Sequence, residues 1–499
     1  MAKPFFRSAL YFIFLLSYLI PTQAQIVDYS KGLETVTAAS EKQLDQLPEP
    51  DMTPKIPKLL TLEDAILLAL RNNPDVQSSE FQRISDKYSL ELAYYAYEPQ
   101  YTLTGNLTTA RGQPLQTRLN AGANINSTFG TQTALGLGWS GPNGINTQSI
   151  NVVQPLLRGY GQVNLIPLEN ARDQEESAKL NFKNSVITIV SAIINDYYTV
   201  VQDLNNLRTQ LATLKTQIDI VNQYKLQVSL GKMARSDLLQ QESTLATTRL
   251  STQIQQNQLE QDYQQLLGDI GLSPRVQFKI DQKINLQEYE IPTDNEAINM
   301  ALAGNIAYQQ ALLALRITKR VVLQAENNQL WQLNATGNVS MTNGKADTAT
   351  PSLSLDLDVP IADVSLKAQL VQAKVALMQA QLALQNQKRQ LINSVINGLI
   401  QLRNQVQTIR LSKNAVDLLA DSLQSEQIKL KYGKSTVFNV TQLQNQVLSQ
   451  QIDLIDQEIT YQLNITSFQV LLGQTLTHWK INIRYYSKDA KIHHNFYRY

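Results

Sequence analysis

Cysteine is absent from all 499 residues. No disulfide can form and no lipid-bearing cysteine can follow an export signal, which excludes a disulfide scaffold and a lipoprotein. Charge is scarce as well: 17% of residues are charged and the formal net charge is +1, which excludes the basic footprint of a nucleic-acid binder. The only histidines are His478, His493 and His494, all in a C-terminal tail, so neither a histidine-based hydrolase nor a metal centre finds its ligands in the body of the chain. After residue 24, no stretch approaches about 18 uninterrupted apolar residues, the length a spanning helix needs. If this chain crosses a membrane, it does so with strands.

What is present begins with an export signal over residues 1–24. Lys3 and Arg7 supply the positive region, residues 9–20 the apolar core, and Thr22, Gln23 and Ala24 lead to a cut before Gln25. An uncleaved anchor is the alternative, but nothing beyond Ile20 prolongs the apolar run. An exported chain without cysteine fits a bacterial envelope protein. Residues 25–58 carry Pro48, Pro50, Pro54 and Pro57 among polar residues and read as a poorly ordered lead-in.

The body of the chain is duplicated. Ala65, Leu70, Asn73, Thr104, Gly105 and Asn106 meet Ala297, Leu302, Asn305, Thr336, Gly337 and Asn338 at one constant spacing. The repeats occupy residues 59–271 and 293–473, with a linker at 272–292 and a tail at 474–499. Each opens with a helix; in the first, Thr61 can cap, Glu63 and Asp64 sit at the positive end of the dipole, and Pro74 predicts a kink or break.

A much longer helix follows, from about residue 164 to 230. Ile193, Tyr197, Val200, Leu204, Leu207, Leu211, Leu214, Ile218 and Val221 form an uninterrupted a/d seam of coiled-coil type. The second repeat matches it with Val395, Leu399, Leu402, Val406, Ile409, Lys413, Val416, Ala420 and Leu423. A helix of about 65 residues is on the order of 100 Å long and cannot be buried within one globular domain. Taken alone, such helices also suit a non-conducting surface coiled coil. Each ends in a glycine turn, with tips expected at 230–237 and 432–440, after which a shorter helix returns to Gly268 or Gly473. Gly433, Lys434 and Ser435 mimic the end of a phosphate loop, but Ile428 stands where its leading glycine belongs and no strand precedes it.

Between the helices lie strands. Residues 331–342 and 351–361 alternate strictly, with Leu333, Ala335, Val339, Leu353, Leu355 and Leu357 on one face and Asn334, Asn338, Asp356 and Asp358 on the other. Segments of about ten residues with this alternation are the signature of a membrane barrel with a wet interior, although a sheet half-buried on helices alternates in the same way. The first repeat has the matching pair at 101–109 and 148–154. Between them, residues 111–147 contain two further alternating segments, 119–128 and 134–139. These are either extra barrel strands or an extracellular β-extension; the extension is preferred, because the second repeat lacks the segment. Four strands cannot close a barrel, so copies must pool them: two copies give a filled barrel of eight, three a barrel of twelve with a passage.

With these residues in view, the chain resembles the TolC-type outer membrane efflux proteins over about residues 60–473. The resemblance rests on the duplication, on the opening run from Leu60 to Pro74, on Gln154 to Gly159 closing the first hairpin, and on Tyr432 to Thr436 at the second tip. It implies a mixed α and β membrane protein: a homotrimer with a twelve-stranded outer-membrane β-barrel continuous with a periplasmic α-helical tunnel. It also implies no catalysis and no cofactor or metal. The partners it implies are outer-membrane lipid, a periplasmic adaptor (membrane fusion) protein and an inner-membrane pump of resistance-nodulation-division, major facilitator or ABC type. Type I protein secretion uses similar ducts and stays open as the export route.

The residues implied for adaptor docking are Gly231, Lys232, Gly433 and Lys434 at the tips. Those implied for the periplasmic constriction are Asp237, Asn439 and Gln442. Family members often close this mouth with acidic rings; here Asn439 and Gln442 hold the acidic positions of the second hairpin, Ser435 replaces a latching basic residue, and Asp237 is retained. Amides bind cations weakly, so cation block and a salt-bridge latch are not expected of this chain.

Overall fold

The computed structural model describes residues 59–108, 116–141, 144–282, 289–343, 349–361, 363–432 and 434–481. The export signal, the lead-in at 25–58, Gly433, His493 and His494 lie outside the described residues. The chain divides into two units. The small one is built on a two-residue parallel pairing of β1 (Leu59–Leu60) with β6 (Lys279–Ile280), Leu59 opposite Lys279. The large one spans Leu62–Val276 and Gln282–Thr475 and contains both repeats.

In the large unit, the first repeat opens with α1 (Leu62–Asn72) and α2 (Pro74–Tyr95), separated at Asn73. Proline at the first position of α2 has no N–H to offer α1, so the helix breaks there and Asn73 caps the new start. Four strands follow: β2 (Gln100–Thr108), β3 (Gln116–Asn126), β4 (Gln132–Gly141) and β5 (Ile145–Pro155). A short 3-10 helix leads into α3 (Ile166–Ser229), and α4 (Arg235–Ile270) returns antiparallel to it. The second repeat has α5 (Asp294–Gly304), α6 (Ile306–Asn327), β7 (Gln332–Thr342), β8 (Thr350–Asp358), α7 (Val364–Lys431) and α8 (Val437–Leu472). The helices of the two repeats match closely: 11, 22, 64 and 36 residues against 11, 22, 68 and 36.

Two expectations need correction. The return helix of the first repeat does not stop at Gly268. It continues to Ile270 and is closed by Gly271 at φ 81°, as Gly473 closes α8 at φ 71°. A left-handed residue is needed to turn the chain back over the last carbonyls, and glycine takes it without steric cost. The preferred extracellular extension at 111–147 is the second correction. β3 and β4 sit inside one continuous sheet of order β2-β3-β4-β5-β7-β8, every neighbour antiparallel. The chain therefore contributes six strands rather than four. Twelve strands would correspond to two copies and three copies would bring eighteen.

The core lies where the long helices meet the short ones. In the second repeat, Ala297, Val395, Leu399, Tyr461, Phe468 and Leu472 pack into one cluster joining α5, α7 and α8. In the first, Ile193, Tyr197, Val200, Leu266, Leu267 and Ile270 are buried. The a/d seam is thus covered in its half nearest the sheet. Midway along it opens, with Leu211 and Val406 about half exposed, and near the first tip Val221 is buried again. An ion-pair cluster ties the repeats together: Arg320 of α6 bonds Asp173 of α3, and Arg316 reaches Asp173 at 3.4 Å and Glu176 at 2.7 Å.

Candidate membrane wall and hairpin tips

The pairing register sorts every strand residue onto one of two faces. Leu103 opposes Ala121, Ala121 opposes Leu137, and Leu119 opposes Trp139. Further along, Leu135 opposes Ile150, Ile150 opposes Val339, and Leu333 opposes Leu357. One mainly apolar face thus runs through all six strands, interrupted on β5 by Asn146, Gln148 and Gln154. The other face carries Thr104, Asn120, Asn124, Ser149, Asn338, Ser354, Asp356 and Asp358. Asp356 there accepts from Thr336 Oγ1 at 3.2 Å and from Ser354 Oγ at 3.1 Å. The apolar face has no protein over it on the outer strands, where Leu103 is 81% and Leu353 84% exposed. A surface of that chemistry suits lipid, while the opposite face suits water.

Glycines on the polar face mark where space is short. A Cβ on Gly136 would lie 2.7 Å from Ser149 Oγ, and one on Gly122 3.0 Å from Thr102 Oγ1. Gly337, on the apolar face, has open space around it. The apolar face has tight points as well: a Cβ on Gly105 would lie 3.2 Å from Leu119 Cδ2, and one on Gly141 2.8 Å from the Trp139 ring.

Asn126 Nδ2 donates to Ala96 O at 3.3 Å, and Gly161 N donates to Phe129 O at 3.2 Å. The β3–β4 turn therefore sits beside the end of α2 and the start of α3. A Cβ on Gly130 in that turn would overlap Gly159 O and come within 2.6 Å of Asn164 Nδ2, so this turn tolerates only glycine. Gly130 is at φ 96°, which independently favours glycine. Sequence reasoning missed this junction. The signal was available: segments 119–128 and 134–139 share the length and apolar face of the other strands.

At the far ends of the long helices the two tips share one backbone motif. Lys232 N donates to Gln227 O at 2.9 Å, and Lys434 N donates to Lys429 O at 2.8 Å. This six-to-one bond is the Schellman closure. Gly231 stands at φ 70° with open space where a Cβ would be; Lys232 beside it and Lys434 at the second tip are exposed. The docking residue Gly433 lies outside the described residues. On the return side, Thr436 caps α8 by accepting from Asn439 N at 3.3 Å. Asp237, Asn439 and Gln442 all fall within the first two turns of the return helices and are exposed. Ser435 donates to Glu426, and this bond, with that from Lys429, holds the Glu426 carboxyl below its usual range.

No protein-family model and no curated protein matches the chain. Solved structures do. The outer-membrane channel OprN matches with a TM-score of 0.65 at 14% identity, over 84% of this chain and 91% of that one. The CmeC outer membrane channel of Campylobacter jejuni matches at 0.63 and 13%, over 83% and 86%. The MtrE outer membrane channel of Neisseria gonorrhoeae, solved in its open state, matches at 0.64 and 14%, over 83% and 89%. The fold is that of the outer membrane channels.

This outer-membrane-channel fold holds a half-buried feature that the sequence reading passed over. Asp196 and Asp203, one heptad apart on α3, lie beside Asp269 and Asp262, one heptad apart on α4. Burial, then the neighbouring Asp269 carboxyl, pushes the Asp196 carboxyl up to about 7. Burial, then the neighbouring Asp262 carboxyl, pushes Asp203 up to about 6. Among the described residues no group of three or more His, Cys, Asp or Glu is arranged to hold a metal ion, and no helix is long and apolar enough to cross a membrane.

Proposed function

We propose that this chain is the outer-membrane exit duct of a tripartite export assembly in a Gram-negative bacterium. Copies join edge to edge, β8 of one to β2 of the next, because both outer strands leave a row of backbone groups unpaired and lipid cannot satisfy them. Such head-to-tail contacts close into a ring, for which the resemblance implies three copies. The observation that carries this reading is the combination of an all-antiparallel sheet with one lipid-type face and helices of 64 and 68 residues leaving one end of it. At about 1.5 Å per residue these helices reach roughly 100 Å from the sheet, far enough to bring the tips toward a partner in the inner membrane.

The tips at Gly231, Lys232, Gly433 and Lys434 are the adaptor surface in this reading, and Asp237, Asn439 and Gln442 line the mouth. The duct performs no chemistry; a pump supplies the energy and chooses the cargo. The test is to replace Gly231 and Gly433 with valine in cells carrying the cognate adaptor and pump. Export should be lost while ring assembly and outer-membrane insertion persist. Normal export with both replacements would place docking elsewhere, and a soluble protein without channel activity in planar bilayers would overturn the duct itself.

A further inference from the structure

The segment 116–141 has no counterpart in the second repeat, yet it is built as wall. Its strands have 11 and 10 residues, against 9 and 11 for their neighbours β2 and β5. Its apolar positions Leu119, Ala121 and Ala123 share a face with Gly105, Leu103 and Tyr101 of β2, and Leu135, Leu137 and Trp139 keep that face in register with Ile150, Gln148 and Asn146 of β5. Its turn is bonded at the helical end of the sheet, through Asn126 to Ala96 and Phe129 to Gly161, so the hairpin runs the full height of the wall. A hairpin rising beyond the membrane would have its turn at the opposite end.

Resting on the duct reading above, we infer that three copies close an eighteen-stranded barrel, with β3 and β4 lining the passage through Arg118, Asn120, Asn124 and Ser140. With strands about 4.8 Å apart and tilted about 40°, eighteen strands enclose a cylinder about 36 Å across the backbone, against about 24 Å for twelve. The membrane section then cannot be what selects small solutes. It passes bulky, hydrated cargo, and sieving belongs to the helical mouth.

The absence of native cysteine makes the test clean. Single-cysteine variants Asn120→Cys, Asn124→Cys, Ala121→Cys and Ala123→Cys are made in the full chain, and intact outer membranes are treated with a charged, membrane-impermeant thiol reagent. Native mass spectrometry of the unmodified protein counts the copies. Expected are labelling of the Asn120 and Asn124 variants, none of the Ala121 and Ala123 variants, and a mass of three chains. Should a β3 variant fail to assemble, Ser140→Cys (labelled) and Leu137→Cys (unlabelled) ask the same question of β4. Labelling on both faces, or on neither, would take the hairpin out of the wall and overturn the inference while leaving the duct intact. The expected labelling with a mass of two chains would mean a twelve-stranded barrel and would also overturn it. Absence of the protein from the outer membrane would instead sink the duct reading.

Discussion

The side chain of Asn73 donates through Nδ2 to the backbone oxygen of Asp269 at 2.7 Å, tying the break between α1 and α2 to the last turn of α4. Its Oδ1 meanwhile accepts from Asp75 N at 2.7 Å and caps α2. Asn305 repeats both bonds in the second repeat, accepting from Tyr308 N at 3.0 Å and donating to Leu471 O at 3.2 Å. Beside each asparagine a closing glycine leaves no room for a Cβ: one on Gly271 would lie 2.6 Å from Asn72 O, and one on Gly473 would overlap Gly304 O. The duplicated unit is thus locked at the same joint twice.

Asn73→Ala and Asn305→Ala should each cost about 0.5–2 kcal/mol through the lost cap, and somewhat more through the lost tie. The joints share no partner, so the double variant should show the sum. Chemical denaturation of the detergent-solubilised protein measures this. No shift in either single variant would show that the joint is held by the glycine packing alone.

The Asp173–Arg320 pair is a stronger test of how the repeats hold together. Asp173 is 5% exposed. Arg320→Met would leave a buried carboxylate facing only Arg316 at 3.4 Å, and should destabilise by about 3–5 kcal/mol. The double variant Asp173→Leu with Arg320→Met removes both charges and should recover most of the loss. A double variant as unstable as the single one would mean that packing, not charge, sets the cost.

Stability should fall as pH rises from about 4 to 7. Asp196 and Asp203 are pushed up in the folded chain to about 7 and about 6, so the folded state holds more protons than the unfolded state across that window. Their stabilisation is complete below the unfolded carboxylate range and is lost as pH passes the folded values. Asp196→Asn keeps a donor toward Asp269 at every pH and should raise the melting temperature at pH 7.5 while flattening the slope. A wild-type melting temperature that rises between pH 4 and 7 and falls on adding Asp196→Asn would contradict this.

At the mouth, Asn439 and Gln442 should leave the duct nearly insensitive to millimolar multivalent cations added from the periplasmic side of a planar bilayer. Changing both to Asp would converge carboxylates from every copy, whose oxygens replace the hydration shell of a hard cation. Tight block should follow and should weaken at acidic pH, because mutual repulsion raises the carboxylate pKa values. Strong block of the unmodified protein would assign the constriction to another ring, Asp237 being the first candidate.

Periodicity alone determined the helical half of this protein. An unbroken a/d seam, two glycine turns and Pro74 fix long hairpins, their tips and the broken opening helix, because helix geometry is set by residues a turn apart. The two alternating faces of the strands were legible for the same local reason. What the sequence left open was which strands are neighbours. Segments 119–128 and 134–139 alternate as any wall strand does, but membership of the sheet depends on contacts such as Leu103 with Ala121 and on a turn seated between Gly159 and Asn164. Pairing across a sheet and the meeting of Asp196 with Asp269 are long-range events. Only the tertiary structure, by bringing distant segments to one place, decided that each chain builds six strands in one sheet and that its long hairpin sets carboxyl groups side by side.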